Sequence, residues 1–125
     1  MIDDVTYRVA RWRGGNPLVH GMRVGRWAVR MKREDDAFSF GRVGRMFIVD
    51  HINTGTNAGD FDSFDEAIRF ADDISRYAER DPSTRDIDRV EAQLGRDVVA
   101  WLCACRSVAK HIPYREWLAA RRQAA

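Results

Sequence analysis

The first half of the chain alternates between apolar and polar positions, the two-residue period typical of half-buried β-strands. Three segments follow this period, with apolar positions at Val5, Tyr7 and Val9, then Trp27, Val29 and Met31, then Phe47 and Val49. In the second segment the intervening positions are mostly basic, so we expect a strand with one apolar and one basic face. Residues 38–40 either extend the third strand or pair with it, which predicts three or four strands.

After residue 62 the apolar positions change to the spacing of an amphipathic helix. Ser63 and Glu66 are three positions apart, as in a capping box. In that motif the Ser63 hydroxyl accepts from the N–H of Glu66, and the Glu66 carboxylate accepts from the N–H of Ser63. We therefore predict a helix beginning after Ser63. Its apolar face consists of Phe64, Ala67, Ile68, Ala71, Ile74 and Ala78.

A second helical stripe runs from Ile87 to Ile112, and Gly95 interrupts it without changing its phase. One kinked helix and two separate helices both agree with this pattern. Residues 98–105 are apolar on nearly every side, which indicates the central helix of the core. Pro113 favours the start of a last short helix. The apolar face of that helix consists of Tyr114, Trp117 and Leu118.

Strands followed by helices predict an α+β fold. We expect an N-terminal antiparallel sheet of three or four strands, followed by three or four C-terminal helices packed on one face. A chain of 125 residues is long enough to bury one core, so we predict a single domain over residues 1–125. Its strand-rich part spans residues 1–61, with a loop expected over residues 53–60, and its helical part spans residues 62–125.

Apolar runs and cysteines predict where the protein resides. The longest apolar run lies within residues 98–105 and is too short to span a bilayer. The acidic start of the chain lacks a signal-peptide pattern, so we expect a cytoplasmic protein without a membrane partner. Cys103 and Cys105 point in different directions on a helix and cannot bridge each other. We predict that both are buried thiols in a reducing compartment.

Residue types that support catalysis or metal binding do not form a recognisable motif. His20, His51 and His111 are widely separated, and two cysteines two apart on a helix do not converge on one ion. Neither a phosphate-binding loop with its lysine nor a Gly-x-Ser-x-Gly turn occurs. We therefore predict a protein that is not an enzyme and that uses no metal and no cofactor.

Charge is segregated along the chain although the net charge is only +2. Residues 1–49 carry ten basic and five acidic side chains, and residues 50–97 carry six basic and thirteen acidic ones. Residues 98–125 carry five basic and one acidic side chain. Segregated charge favours association with partners of opposite sign, so we expect the protein to work by binding.

Two surfaces are candidates for that binding, and they predict different partners. The acidic helix predicts a protein partner that offers Lys and Arg, contacted by Asp65, Glu66, Asp72, Asp73 and Glu79. The basic strands predict nucleic acid as the alternative partner, contacted by Arg8, Arg26, Arg30 and Lys32. A homodimer through Tyr114 and Trp117 is a further alternative, in which these rings form a contact between copies rather than cap the core.

Residues 47–74 resemble a module of small accessory proteins of phages and conjugative elements. The shared features are an apolar strand, a Thr-Gly turn, a Gly-x-Phe step and a Ser-x-x-Glu-Ala helix start. The resemblance implies a compact protein of a mobile element in a bacterial host cell, a setting that includes anti-CRISPR proteins. It implies a non-enzymatic inhibitor of a bacterial defence nucleoprotein complex of the CRISPR-Cas type. Such an inhibitor acts by occupying a basic or nucleic-acid-binding surface of its target.

Overall fold

The computed structural model describes residues 2–9, 16–32, 46–77 and 95–124. Its five strands form one antiparallel sheet in which each strand pairs with the next along the chain. The strands are β1 (Ile2–Arg8), β2 (Leu18–Val24), β3 (Trp27–Met31), β4 (Phe47–His51) and β5 (Asn57–Phe61). The predicted α+β class with an N-terminal antiparallel sheet is confirmed, whereas the predicted count of three or four strands is wrong.

Within the described residues three helices follow the sheet, namely α1 (Phe64–Tyr77), α2 (Arg96–Val108) and α3 (Tyr114–Ala124). The N–H of Glu66 donates to the Ser63 hydroxyl at 3.1 Å, which confirms the predicted cap of α1. The helical stripe before Gly95 lies outside the described residues, and with it the choice between one kinked helix and two. Residues 38–40 also lie outside them. Among the described helices, none combines the length and apolar character needed to cross a bilayer.

The strand register decides which side chains face the helices, because directly opposed residues lie on the same face of a sheet. Val24 lies opposite Trp27, and Val29 lies opposite Val49. All four are buried on the face that α1 and α2 cover. Their partners in this main core include Phe61, Ala67, Phe70, Ala71, Ile74 and Val98.

Trp101 is fully buried within this main core. Its ring centroid lies 5.2 Å from that of Phe70 and 5.3 Å from that of Tyr114. Its indole N–H donates to the carbonyl oxygen of Ile112 at 2.7 Å, which fixes the segment between α2 and α3. Residues 98–105 therefore form a core helix as predicted. The prediction that both cysteines are buried is wrong for Cys103, which is exposed, whereas Cys105 is buried. Two positions along a helix rotate the side chain by about 200°, so the two cysteines face different surroundings.

The face of the sheet opposite the helices holds a second, smaller cluster of buried side chains. It consists of Tyr7, Val9, Val19 and Ala28. The charged residues Arg30 and Asp50 are also buried on this face. Buried groups therefore lie on both faces of the sheet, rather than beneath the helices alone.

The alternating pattern does not predict β2 or β5, and each omission has a physical cause. Gly21 interrupts β2 with a residue that weakens strands. The fold needs a glycine there, because an added Cβ would lie 2.8 Å from the carbonyl oxygen of Val29. The Asn, Gly and Asp of β5 have low β-propensity, so a loop is expected. Its backbone nevertheless pairs with β4, with a register shift between Val49 and Asp50.

Candidate functional site

The fold divides the acidic residues predicted to bind a partner. Asp65 and Asp72 are exposed on α1. Glu66 and Asp73 are partly buried and contact the segment between α2 and α3. Glu79 lies outside the described residues. The four described carboxylates therefore do not form one solvated surface, because the fold itself uses Glu66 and Asp73.

The contacts of Glu66 and Asp73 hold α1 to the start of α3. The Glu66 carboxylate accepts from the backbone N–H of His111 at 2.6 Å, instead of from Ser63 as a complete capping box requires. The Asp73 carboxylate accepts from His111 Nε2 at 2.8 Å and from the backbone N–H of Tyr114 at 2.8 Å. Nothing in the sequence indicates these pairings, since Glu66 and His111 are 45 residues apart.

The basic residues predicted to bind nucleic acid are also separated. Arg8 is exposed and its guanidinium donates to the carbonyl oxygen of Asn16 at 2.9 Å. Arg26 and Lys32 are half-buried at the ends of β3. Arg30 is buried on the opposite face of the sheet from Arg8. The four side chains therefore do not meet on one surface.

Arg30 belongs to a buried polar cluster with Asp50 and Tyr7. The Arg30 Nε–H donates to Asp50 Oδ2 at 2.6 Å, and the Tyr7 hydroxyl donates to the same oxygen at 2.7 Å. Burial raises the pKa of Tyr7 far above its ordinary value, and the charge of Asp50 raises it further. Tyr7 therefore stays protonated and acts as a hydrogen-bond donor that ties β1 to β4.

The histidines occupy three different environments. His51 is buried, its Nδ1 lies 3.0 Å from the Thr54 hydroxyl, and its ring packs edge-on against Trp27 at 4.8 Å. His20 is exposed beside Asp4 at 3.8 Å, and His111 pairs with Asp73. Within the described residues, no three His, Cys, Asp or Glu side chains are placed to hold one metal ion.

The two cysteines differ in reactivity. Burial raises the pKa of the Cys105 thiol to about 11, so the reactive thiolate is scarce at neutral pH. Its sulfur lies 3.9 Å from the carbonyl oxygen of Ile112, within the core. Cys105 is therefore a packing residue, whereas Cys103 faces solvent.

An apolar groove opens where the start of α1 leaves part of the sheet uncovered, and the sequence pattern does not indicate it. The groove has a volume of about 430 Å³. Three large apolar side chains line it and remain exposed, namely Leu18 (53%), Met31 (61%) and Phe64 (41%). Phe47 lies between them, with its ring 5.8 Å from that of Phe64. We call this feature the apolar groove.

Acidic residues flank Phe64, a lining residue of the apolar groove, in the sequence. Asp62 precedes Phe64 by two residues, Asp65 follows it directly, and both acids are exposed. The chain therefore places an exposed aromatic ring and two exposed carboxylates around the start of α1. Such a surface suits a ligand that presents an apolar group next to a positive charge.

Comparisons with protein families, with curated proteins and with solved structures found no match for this chain. The resemblance of residues 47–74 to accessory proteins of mobile elements therefore stays a prediction.

Proposed function

We propose that this protein is a non-enzymatic protein-binding module whose partner docks in the apolar groove. The observation that supports this most strongly is the gathering of Leu18, Met31 and Phe64 around one groove. Single exposed apolar residues are ordinary on protein surfaces, but a contiguous apolar patch is more typical of an interaction site.

The charge beside the groove favours a partner segment with an apolar anchor followed by Lys or Arg. Asp62 and Asp65 flank Phe64 and are exposed, so they are available to pair with such a segment. Rim charges of this kind mainly accelerate association and exclude wrong partners, while the buried apolar anchor contributes most of the affinity.

We propose further that the partner is a bacterial defence nucleoprotein complex of the CRISPR-Cas type. Complexes that hold nucleic acid present basic surfaces, and the exposed acids of α1 are complementary to such a surface. The protein would inhibit its target by covering that surface, without chemistry. The resemblance to accessory proteins of mobile elements supports this setting.

The proposal is tested with tagged protein and nuclease-treated bacterial lysate that contains a CRISPR-Cas complex. We expect the wild-type chain to retain that complex, as identified by mass spectrometry, and Phe64→Ser and Met31→Ser to lose it. Val108→Ser is the matched control, because Val108 is 52% exposed on α2 and does not line the groove. Equal retention by all three variants would refute docking in the groove.

Charge reversal separates the acidic contribution from the apolar one. We expect Asp62→Lys with Asp65→Lys to weaken retention at only a small cost in stability, because Asp65 lies in the first turn of α1, where a positive charge is unfavourable. Reversing Glu66 or Asp73 would not be informative, because these residues hold α1 to α3. If the wild-type chain retains the complex from untreated lysate but not from nuclease-treated lysate, the result would instead favour nucleic acid as the ligand. Exposed basic residues such as Arg8 would then provide the contact.

A further inference from the structure

A second depression lies between the outer side of α1 and the start of α3. This cleft has a volume of about 540 Å³ and shares no lining residue with the apolar groove. The ionisable residues that line it are Arg69, Asp72, Asp73, Arg76, His111 and Arg115. Three of these residues are arginines, of which Arg69 and Arg76 belong to α1 and Arg115 belongs to α3.

Both carboxylates of the cleft are already engaged within the fold. Asp72 pairs with Arg76 at 3.0 Å. Asp73 accepts from His111 and from the backbone N–H of Tyr114. Arg69 and Arg115 are exposed, and within the described residues neither has a carboxylate partner. Two guanidinium groups are therefore left at the mouth of the cleft for a ligand.

We propose that this cleft binds a phosphoryl group between Arg69 and Arg115, a function that goes beyond docking in the apolar groove. A guanidinium presents its N–H donors as a planar fork that matches phosphate oxygens two at a time. A phosphoryl dianion has enough terminal oxygens to accept from two such forks, whereas a carboxylate has only two. The N-terminus of α3 already holds the Asp73 carboxylate, which accepts from the Tyr114 N–H, so the attraction for a phosphoryl group comes from the two guanidinium groups.

The test is a titration of the ¹⁵N-labelled full chain with inorganic phosphate, followed by NMR. We expect saturable shifts of the backbone amides of Tyr114 and Arg115. Arg69→Gln and Arg115→Gln should each weaken phosphate binding by about tenfold, because each removes one charge-assisted pair. Both side chains are exposed, so these variants should keep the wild-type melting temperature.

Arg122→Gln is the matched control, since Arg122 is an exposed arginine of the same helix that does not line the cleft. It should bind phosphate as the wild type does. An equal loss in Arg122→Gln would attribute binding to general charge attraction and overturn the proposal, as would the absence of saturable shifts. Glutamate that binds as well as phosphate would overturn the choice of a phosphoryl group.

A titration with adenosine monophosphate distinguishes a nucleotide ligand from free phosphate. Tighter binding than phosphate, with the same dependence on Arg69 and Arg115, would identify a nucleotide as the ligand. Equal binding would identify the phosphoryl group alone. Adenosine monophosphate that binds without dependence on these arginines would contradict the proposed site.

Discussion

Asp73 is the residue at which α1 and the start of α3 are most directly connected. Its carboxylate accepts from a side chain and from a backbone N–H, and the side chains of Asp73 and His111 are largely shielded from water. The side chain of its neighbour Asp72 is exposed and pairs with Arg76, one helical turn away. Adjacent acids in the sequence therefore have different roles.

Asp73→Ala is expected to lower the free energy of unfolding by about 2–4 kcal/mol, because two shielded donors lose their acceptor. Asp72→Ala is the matched control and should change it by less than about 1 kcal/mol, as for other exposed ion pairs. Urea denaturation of the two variants measures both effects. Equal effects would show that Asp73 is an ordinary surface residue.

His51 gives the stability a dependence on pH. Burial lowers the pKa of His51, and the charge of Arg26 lowers it further, so the folded protein favours the neutral ring. The unfolded chain takes up this proton near its ordinary pKa of about 6.5. Stability from this residue is therefore present above pH ~6.5 and is lost as the pH falls toward the lowered value.

His51→Gln is expected to reduce the loss of unfolding free energy between about pH 7 and pH 5, since the variant has no proton to take up there. Urea titrations of wild type and variant at both pH values measure this difference. His20→Gln, at an exposed position, is the control and should behave as the wild type does. A His51→Gln protein with an unchanged pH dependence would contradict the assignment.

At the scale of elements, the N-terminus of α1 depends on its cap. Ser63→Ala removes the acceptor of the Glu66 N–H and is expected to cost about 1 kcal/mol of unfolding free energy. Ser75→Ala changes the same residue type inside α1, where alanine is the better helix former, so no loss is expected. Thermal or urea denaturation distinguishes the two variants, and an equal loss in both would contradict capping by Ser63.

Elements whose residues share one strong pattern could be predicted from the sequence. Apolar and polar residues alternate along β1, β3 and β4, and Ser63 and Pro113 indicate where two helices begin. β2 and β5 could not be predicted, because their pairing depends on neighbouring strands more than on their own side chains. Gly21 shows this most clearly, since its small size matters only once β3 lies against it.

At the scale of the whole molecule, folding pairs the charge blocks that the sequence separates. Arg30 of the basic first block meets Asp50 of the acidic middle block at 2.6 Å. Arg121 of the last block lies 3.7 Å from Asp97 of the middle block. A count along the chain therefore predicts charge-driven binding but not its location, because tertiary contacts decide which acids stay exposed.

The two candidate surfaces could not be predicted from the sequence, because each is formed by residues that tertiary contacts bring together. The apolar groove joins residues of β2, β3, β4 and α1, and the arginine-lined cleft joins α1 to α3. Phe64 and Met31 both look like core residues in the sequence, since their spacing fits a buried face. In the structure Phe64 is nevertheless 41% exposed and Met31 61% exposed, and both line the groove.

α1 contributes residues to both surfaces and, as a helix, separates them by a fixed distance. Phe64 lines the groove, and Arg69 is the nearest cleft residue along α1. Arg69 lies five positions after Phe64, which places it about 7.5 Å along the helix axis and roughly 140° around it. Arg76, also in the cleft, is about 18 Å from Phe64 along the axis. Ligands on the two surfaces would approach this helix from different sides, so occupancy of one leaves the other accessible. With both proposed ligands bound, α1 would hold them at a fixed separation.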